Sequence, residues 1–120
     1  LDDAWDPARG GFAYTLGFDG KVAIPARYWW PVTEAIGAVA MLLKLDPQPS
    51  DEDWYRRMWR FADTRLIDHE HGGWFPELDD SDRPAMTQFK GKPDIYHSVQ
   101  ATLFALTPGL SRHMAGPAAL

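Results

Sequence analysis

The feature that most constrains the fold of this chain is an internal repeat with a shift of about 62 residues. The shift places Gly10-Gly11-Phe12 over Gly72-Gly73-Trp74, and in each copy a turn-rich stretch is followed by an apolar helical stretch. A repeat of this size indicates one supersecondary unit used twice, with the units stacked so that each covers an apolar face of the other. We therefore expect a hairpin loop, an inner helix and an outer helix in each unit.

The first unit contains the clearest turn and helix signals. Residues 12–22 alternate around Asp19-Gly20 and predict a β-hairpin that Pro25 ends. The following stretch, YWWPVTEAIGAVAMLLKL, predicts an inner helix with Pro31 at its first position. Its expected buried stripe is Val32, Ile36, Val39, Ala40 and Leu43, with Gly37 and Ala38 allowing a close neighbour.

The outer helix is predicted from Asp51 to the neighbourhood of Asp68. Ser50 and Asp53 have the spacing of a capping box at its start. An apolar stripe, interpreted as core, consists of Trp54, Tyr55, Met58, Trp59, Ala62 and Leu66, and the arginines 56, 57 and 60 are expected in solvent.

The second unit repeats this plan with a hairpin over residues 74–85 and a polar stretch that leads to a second inner helix. Asp94 is the predicted N-cap, which places His97 in the first turn. Val99, Leu103 and Leu106 have the spacing of a buried face, with Ala101, Phe104 and Ala105 nearby. Residues 108–120 have weak periodicity and are expected to fray.

Composition limits the partners. The 120 residues fit one domain, and a net charge of −5 without a basic run argues against nucleic acid or an anionic membrane surface as partner. The longest apolar run, residues 35–43, is too short to span a bilayer. The absence of cysteine excludes disulfides and thiol catalysis and is compatible with a cytoplasmic location.

The first residues lack both a secretory signal pattern and an initiator methionine. Two stacked units would also leave two open sides. We therefore expect residues 1–120 to be a single partial domain, completed by a preceding part of the same chain or by a second copy.

His97 and Glu34 are the residues on which a function would depend. The repeat shift brings Glu34 within one residue of His97, so both side chains should leave the same end of two similar helices. The positive end of a helix disfavours a second positive charge, which favours a neutral imidazole that can act as a base. The alternatives are structural: a histidine bonded to a nearby loop, and a carboxylate that stabilises a helix end.

Three motifs then resemble a known family. YWWPVTEAIGA, DHEHGGWFPELD and GKPDIYHSVQA, in this order and spacing, resemble the C-terminal part of the N-acylglucosamine 2-epimerase family, which includes cellobiose 2-epimerases and mannose-type aldose–ketose isomerases. The resemblance covers nearly the whole chain. It implies an all-α fold, part of an (α/α)6 barrel of six helical hairpins with short β-hairpins in the loops, and a sugar site where the loops meet the starts of the inner helices.

The resemblance also implies roles for individual residues. The family uses two histidines as acid and base beside the sugar carbonyl, through an enediol-type intermediate, and one of them matches His97. Trp29, Trp30 and Glu34 match residues that contact the sugar, and Tyr96 belongs to the tyrosine–histidine motif. Many members have a tryptophan shortly before that motif, where this chain has KPDI, a variant that resembles the bacterial isomerase-like members.

The second catalytic histidine of the family has no counterpart here, because His69, His71 and His113 do not lie in a matching motif. The implied chemistry is sugar isomerisation or 2-epimerisation on a monosaccharide or disaccharide, without a metal or redox cofactor. The isolated chain is predicted to be inactive, because proton transfer between adjacent carbons needs two positioned groups.

Two other functions fit parts of the sequence. A glycoside hydrolase or lyase would use Glu34 with Asp68 or Glu77 as a carboxylate pair. A non-enzymatic helical module would use its apolar helix faces to bind another chain. His69 and His71 are two residues apart, but no third ligand of defined geometry lies near them, so no metal site is predicted.

Overall fold

The computed structural model describes residues 1–108. Three helices carry most of the regular structure: α1 (Trp29–Leu45), α2 (Pro49–Phe61), which continues as a π-helical turn (Ala62–Leu66), and α3 (Tyr96–Leu106). Five short strands lie in the loops: β1 (Thr15–Leu16), β2 (Val22–Ile24), β3 (Arg27–Tyr28), β4 (Glu77–Leu78) and β5 (Pro84–Ala85). The predicted helical architecture with β-hairpins in its loops is confirmed.

The repeat is present in the backbone of both units. Trp5 bridges Phe12 in the first loop, and Ile67 bridges Trp74 in the second. In each loop an aspartate accepts hydrogen bonds from the backbone N–H groups two and three residues later, at about 3.0 Å (Asp6 Oδ1 in the first loop, Asp68 Oδ1 in the second). The paired glycines of both loops have positive φ, between 74° and 83°, which is why glycine occupies these positions (Gly10, Gly11, Gly72 and Gly73).

Both predicted hairpins are confirmed. β1 pairs antiparallel with β2, and β4 pairs antiparallel with β5. The first hairpin turns at residues 17–21, where the N–H of Gly17 donates to the carbonyl of Lys21 at 2.7 Å. A third pairing was not predicted: β3 of the first unit lies on the free edge of β4, so the two units are joined by a three-stranded sheet.

The two inner helices, α1 and α3, run parallel and pack side by side. Their N-terminal ends meet through Glu34 in the second turn of α1 and His97 in the first turn of α3. At the other end, Lys44 Nζ of α1 donates to the carbonyls of Phe104 in the last turn of α3 and of its C-cap, Thr107. Helix ends leave such carbonyls without intrahelical partners, so the ammonium group satisfies them. Gly37 permits the close approach, because a Cβ there would lie 2.9 Å from Cδ2 of Phe104.

The core lies between α1, α2 and the loops. Val32, Ile36 and Val39 of α1 are buried as predicted, and so are Met58, Ala62 and Leu66 of the outer helix. Trp54, Tyr55 and Trp59 pack against this core while partly exposed.

Two local predictions need correction. Pro31 is the third residue of α1, not the first; it still lies in the turn whose N–H groups lack intrahelical acceptors. The outer helix begins at Pro49, where Asp51 Oδ2 accepts from the N–H of Gln48 at 2.9 Å, and Ser50 and Asp53 do not form the capping box. Its helical path ends at Leu66, near Asp68 as predicted, because Ile67 is extended and pairs with Trp74.

The prediction that the body of α3 is core is wrong for most of its apolar residues. Val99, Leu103 and Leu106 are exposed, whereas Ala101 is buried against α1. The apolar residues surround the helix, and only one side has a neighbour among the described residues. Periodicity alone cannot tell which side of such a helix is covered.

Among residues 1–108, no helix is long and apolar enough to cross a membrane. The predicted tail, apart from Pro108, lies outside the described residues, as does His113.

Candidate active site at the joined ends of the inner helices

The candidate site lies where the N-terminal ends of α1 and α3 meet. Glu34 is the sixth residue of α1, and His97 is the second residue of α3. The N-cap of α3 is Ile95 and not the predicted Asp94. Asp94 lies one residue earlier, and its Oδ1 accepts from the N–H of Tyr96 at 2.9 Å, so His97 still lies in the first turn. The predicted convergence of the two helix ends is therefore confirmed.

Glu34 and His97 form a hydrogen-bonded pair. Oε1 of Glu34 lies 2.6 Å from Nδ1 of His97, and the side chains are 40% and 29% exposed. An ionised carboxylate can only accept, so Nδ1 carries the proton. This leaves Nε2 as the ring nitrogen available to a ligand, and the carboxylate fixes the ring orientation.

Aromatic rings surround the imidazole. Trp30 lies 6.1 Å from it, centroid to centroid, with an interplanar angle of 34°. Trp29 lies at 6.0 Å, edge to face, and Tyr96 at 4.8 Å, also edge to face. Trp29 is buried, Trp30 is partly buried and Tyr96 is exposed. All four residues predicted to contact a ligand therefore lie beside His97.

Sequence reasoning missed one aromatic neighbour, Phe89. Its ring contacts Trp29 at 5.3 Å and Tyr28 at 5.2 Å, both edge to face. Phe89 lies in the polar stretch before α3, which has neither helical nor strand periodicity. An isolated aromatic residue in a polar loop was the only available signal, and it does not specify which ring it will contact.

The carboxylates of the hydrolase alternative are engaged elsewhere. Oε1 of Glu77 accepts from Thr87 Oγ1 at 2.9 Å and from the N–H of Gln88 at 2.7 Å, and also from the N–H of Thr87. Asp68 Oδ2 binds Lys92 Nζ at 2.6 Å. The hydrogen bond from Lys92, with those from the backbone of His71 and Glu70, lowers the pKa of Asp68 well below its usual range. Both carboxylates hold loop structure.

Two further histidines among residues 1–108, His69 and His71, lie beside acidic side chains. Nε2 of His69 lies 3.1 Å from Asp63, and Nδ1 of His71 lies 3.5 Å from Asp68. In the part of the chain that the structure describes, no group of three or more His, Cys, Asp or Glu side chains is arranged to hold a metal ion.

This chain is similar to a protein family model, to individual protein sequences and to solved structures. A family model described as N-acylglucosamine 2-epimerase (GlcNAc 2-epimerase) matches residues 1–101. The D-mannose isomerase of Pseudomonas cannabina pv. alisalensis is 41% identical over 116 residues, which cover 93% of this chain and 28% of that protein. The D-mannose isomerase of Thermobifida fusca is 40% identical over 107 residues, 88% of this chain and 26% of that protein.

A solved structure of a similar protein matches most of this chain. A crystal structure of D-mannose isomerase superposes with a TM-score of 0.79 at 29% identity, over 88% of this chain and 27% of that one. The chain thus spans roughly a quarter of the length of the relatives it matches, 28% of the first and 26% of the second.

Proposed function

Because this chain belongs to the N-acylglucosamine 2-epimerase family, we propose that it is the part of a sugar isomerase or 2-epimerase that supplies one of two acid–base groups, His97. The observation that carries the proposal is the pairing of Nδ1 of His97 with Glu34 at 2.6 Å, within a ring of aromatic side chains. D-mannose isomerases are among the relatives, so the substrate class proposed first is a hexose that interconverts between aldose and ketose.

The proposed chemistry is a proton transfer next to the sugar carbonyl. Nε2 of His97 removes a proton from the carbon beside the carbonyl, and the electron pair left by the C–H bond forms the enediol double bond as the carbonyl oxygen gains a proton. Isomerisation follows when a proton is added to the former carbonyl carbon and the hydroxyl on the adjacent carbon loses its proton to become the new carbonyl. Epimerisation at C2 follows when a proton returns to the opposite face of the first carbon and the original carbonyl oxygen loses the proton that it gained. In both reactions the imidazole of His97 is proposed to act as one of the two acid–base groups, and Glu34 fixes the orientation of its ring.

The aromatic residues are proposed to bind the sugar. Trp30 lies closest to parallel with the imidazole and offers a face on which the apolar side of a sugar ring stacks. Trp29 supports the imidazole from a second side, and the exposed Tyr96 offers a hydroxyl to the substrate. Glu34 has a second carboxylate oxygen that can accept from a sugar hydroxyl.

The complete site is proposed to need a second acid–base group from outside the described residues. The chain would form part of an (α/α)6 barrel in a cytoplasmic enzyme, and the chemistry needs no metal or redox cofactor, because the carbonyl already acidifies the neighbouring proton. A preceding part of the same chain is the proposed source of the second group.

The test compares the 120-residue chain with the gene product at its native length, whose intact mass is measured first. We expect D-mannose to D-fructose conversion, or epimerisation at C2, by a longer native product and not by the 120-residue chain, because one of the two groups is missing from it. Turnover by the 120-residue chain at the rate of the native product would overturn the two-group proposal. A native product of 120 residues without activity would favour the second candidate.

That second candidate is a helical interaction module, favoured by the exposed face of α3. Val99, Leu103 and Leu106 are 41%, 50% and 75% exposed, and an apolar face of this kind is typical of an interface. Light scattering tests it: the 120-residue chain should self-associate, and Leu103→Lys should make it monomeric. A monomeric wild-type chain would contradict this candidate.

A further inference from the structure

The segment before α3 is longer than its counterpart before α1. Four residues, 25–28, separate β2 from α1, and two of them form β3. Ten residues, 86–95, separate β5 from α3 without forming a strand. The additional length is not needed to connect the elements, because the first unit makes the same connection with fewer residues. We call residues 87–92 the strap.

Two buried carboxylates hold the ends of the strap. At its start, Oε1 of Glu77 accepts from Thr87 and from the N–H of Gln88. At its end, Lys92 Nζ binds Asp68 Oδ2 at 2.6 Å and the carbonyl of Gly72. Both carboxylates are less than a tenth exposed, whereas every residue of the strap is exposed. A buried carboxylate is costly unless it is fully bonded, so these contacts are specific attachments.

The first unit lacks both attachments. The position that corresponds to Glu77 is Thr15, which has no carboxylate. Asp6 corresponds to Asp68 and makes the same loop hydrogen bonds. Lys92 has no counterpart, because it lies in the longer connection that the second unit alone has before its inner helix. The attachments therefore belong to the strap and not to the repeated scaffold.

The strap places Phe89 next to the candidate site, between the attachment at residues 87 and 88 and the attachment at Lys92. Phe89 is 36% exposed, and its ring packs edge to face on Trp29. His97 packs edge to face on the same indole. One buried tryptophan thus contacts both the partly exposed ring of Phe89 and the proposed acid–base group, His97.

We propose that the strap is a specificity element of the sugar site, in which Phe89 supplies a binding wall and the Lys92–Asp68 and Glu77 attachments position it. The inference rests on the proposed function, since the ligand named is the aldose or ketose substrate. Phe89 acts on binding, and Lys92 is a positioning residue that acts through Phe89.

The experiment uses the protein at its native length, with D-mannose and D-fructose as probes. Phe89→Leu keeps the apolar packing on Trp29 but removes the ring. We expect KM to rise about tenfold, the size of one aromatic contact, while kcat stays within about twofold. Phe18→Leu is the matched control, because Phe18 is fully exposed at the tip of the first hairpin, and it should leave both constants unchanged.

Lys92 is tested by Lys92→Met, with Lys92→Arg as rescue. We expect Lys92→Met to raise KM as Phe89→Leu does and to shift the indole N–H resonance of Trp29, because Phe89 leaves its ring. Lys92→Arg should restore both. A Trp29 resonance that does not move in Lys92→Met, while the fold is intact by circular dichroism, would overturn the positioning role.

Different results would overturn the strap inference and the proposed function. Phe89→Leu with unchanged KM would overturn the strap inference and leave the proposed function standing. A wild-type protein at native length that neither converts nor binds D-mannose or D-fructose, measured by calorimetry, would overturn the proposed function and with it the sugar named here.

Discussion

In the first unit the paired glycines lie beneath an aromatic ring, whereas in the second unit the same backbone turn faces open space or one flexible side chain. A Cβ at Gly10 or Gly11 would lie 2.8 or 2.7 Å from the ring of Phe61. A Cβ at Gly72 would meet nothing within 4 Å, and one at Gly73 would meet Lys92 Cδ at 3.3 Å.

This comparison teaches that the repeated backbone is a common support to which each unit adds different side chains. The first unit packs its loop on the outer helix and contributes Trp29, Trp30 and Glu34 to the candidate site. The second unit contributes His97 and uses its loop aspartate, Asp68, to hold the strap. Four predictions test this division between the units.

The largest loss of activity is expected from a change of His97, the acid–base group that the second unit supplies. His97→Asn should lower kcat/KM of the native-length protein about 10³-fold, because the acid–base nitrogen is lost. Steady-state kinetics with D-mannose checks it. His69→Asn is the matched control in an exposed loop, and equal activities of the two variants would remove His97 from the proposed mechanism.

The second largest loss of activity is expected from a change of Glu34, the residue of the first unit that bonds His97. Glu34→Gln should lower kcat about 10- to 100-fold, because the charged hydrogen bond that orients His97 is replaced by a neutral one. Nitrogen-15 NMR of the imidazole should show the proton on Nδ1 in the wild type and a mixed tautomer in the variant.

Glu70→Gln, an exposed change in the second loop, serves as the control for Glu34→Gln. A large loss in Glu34→Gln with a silent His97→Asn would support the glycoside hydrolase or lyase alternative.

The paired glycines give a direct comparison of stability. Gly72→Ala should cost about 1–2 kcal/mol, because alanine disfavours the positive φ there. Gly10→Ala should cost about 1–3 kcal/mol more, because its methyl group also meets Phe61. Urea unfolding of the two variants measures the difference, and equal midpoints would contradict the packing difference between the loops.

The smallest effect concerns the contact between the units. Arg9 and Arg27 of the first unit bind Asp82 of the second, Arg9 at 2.7 Å, and these hydrogen bonds lower the pKa of Asp82 from 3.8 to about 2. The folded-state pKa is depressed, so this stabilisation is present above about pH 4 and is lost as the pH falls towards 2.

Asp82→Asn tests this contact, since asparagine accepts the positive φ of 61° at this position. The urea midpoints of wild type and variant should differ at pH 6 and converge near pH 2. Asp80→Asn is the control, and a difference that stays constant between pH 6 and pH 2 would refute the assignment.

The elements that sequence reasoning placed well are those with local signals. The paired glycines and Asp19-Gly20 each act within a few residues, and each lies where expected. Asp94 bonds the first N–H of α3, one residue before the N-cap Ile95. The repeat also predicted that Glu34 and His97 lie at the same end of two similar helices. It did not predict their exact places, because Glu34 is the sixth residue of α1 and His97 is the second residue of α3. The capping box failed because Asp51 bonds the N–H of Gln48 instead, and two overlapping local patterns cannot be ranked by spacing alone.

What the sequence determined by itself is the repeated unit, the order of its elements and the pair of side chains at the helix ends, because these depend on local backbone preferences and on period. The tertiary structure alone decided the β3–β4 pairing, the contact of Phe89 with Trp29 and the exposure of Val99, Leu103 and Leu106. These contacts join segments far apart in the chain, and the apolar faces carry no local mark of their neighbour. Which face is covered depends on the packing of whole helices against each other, and no short pattern encodes that.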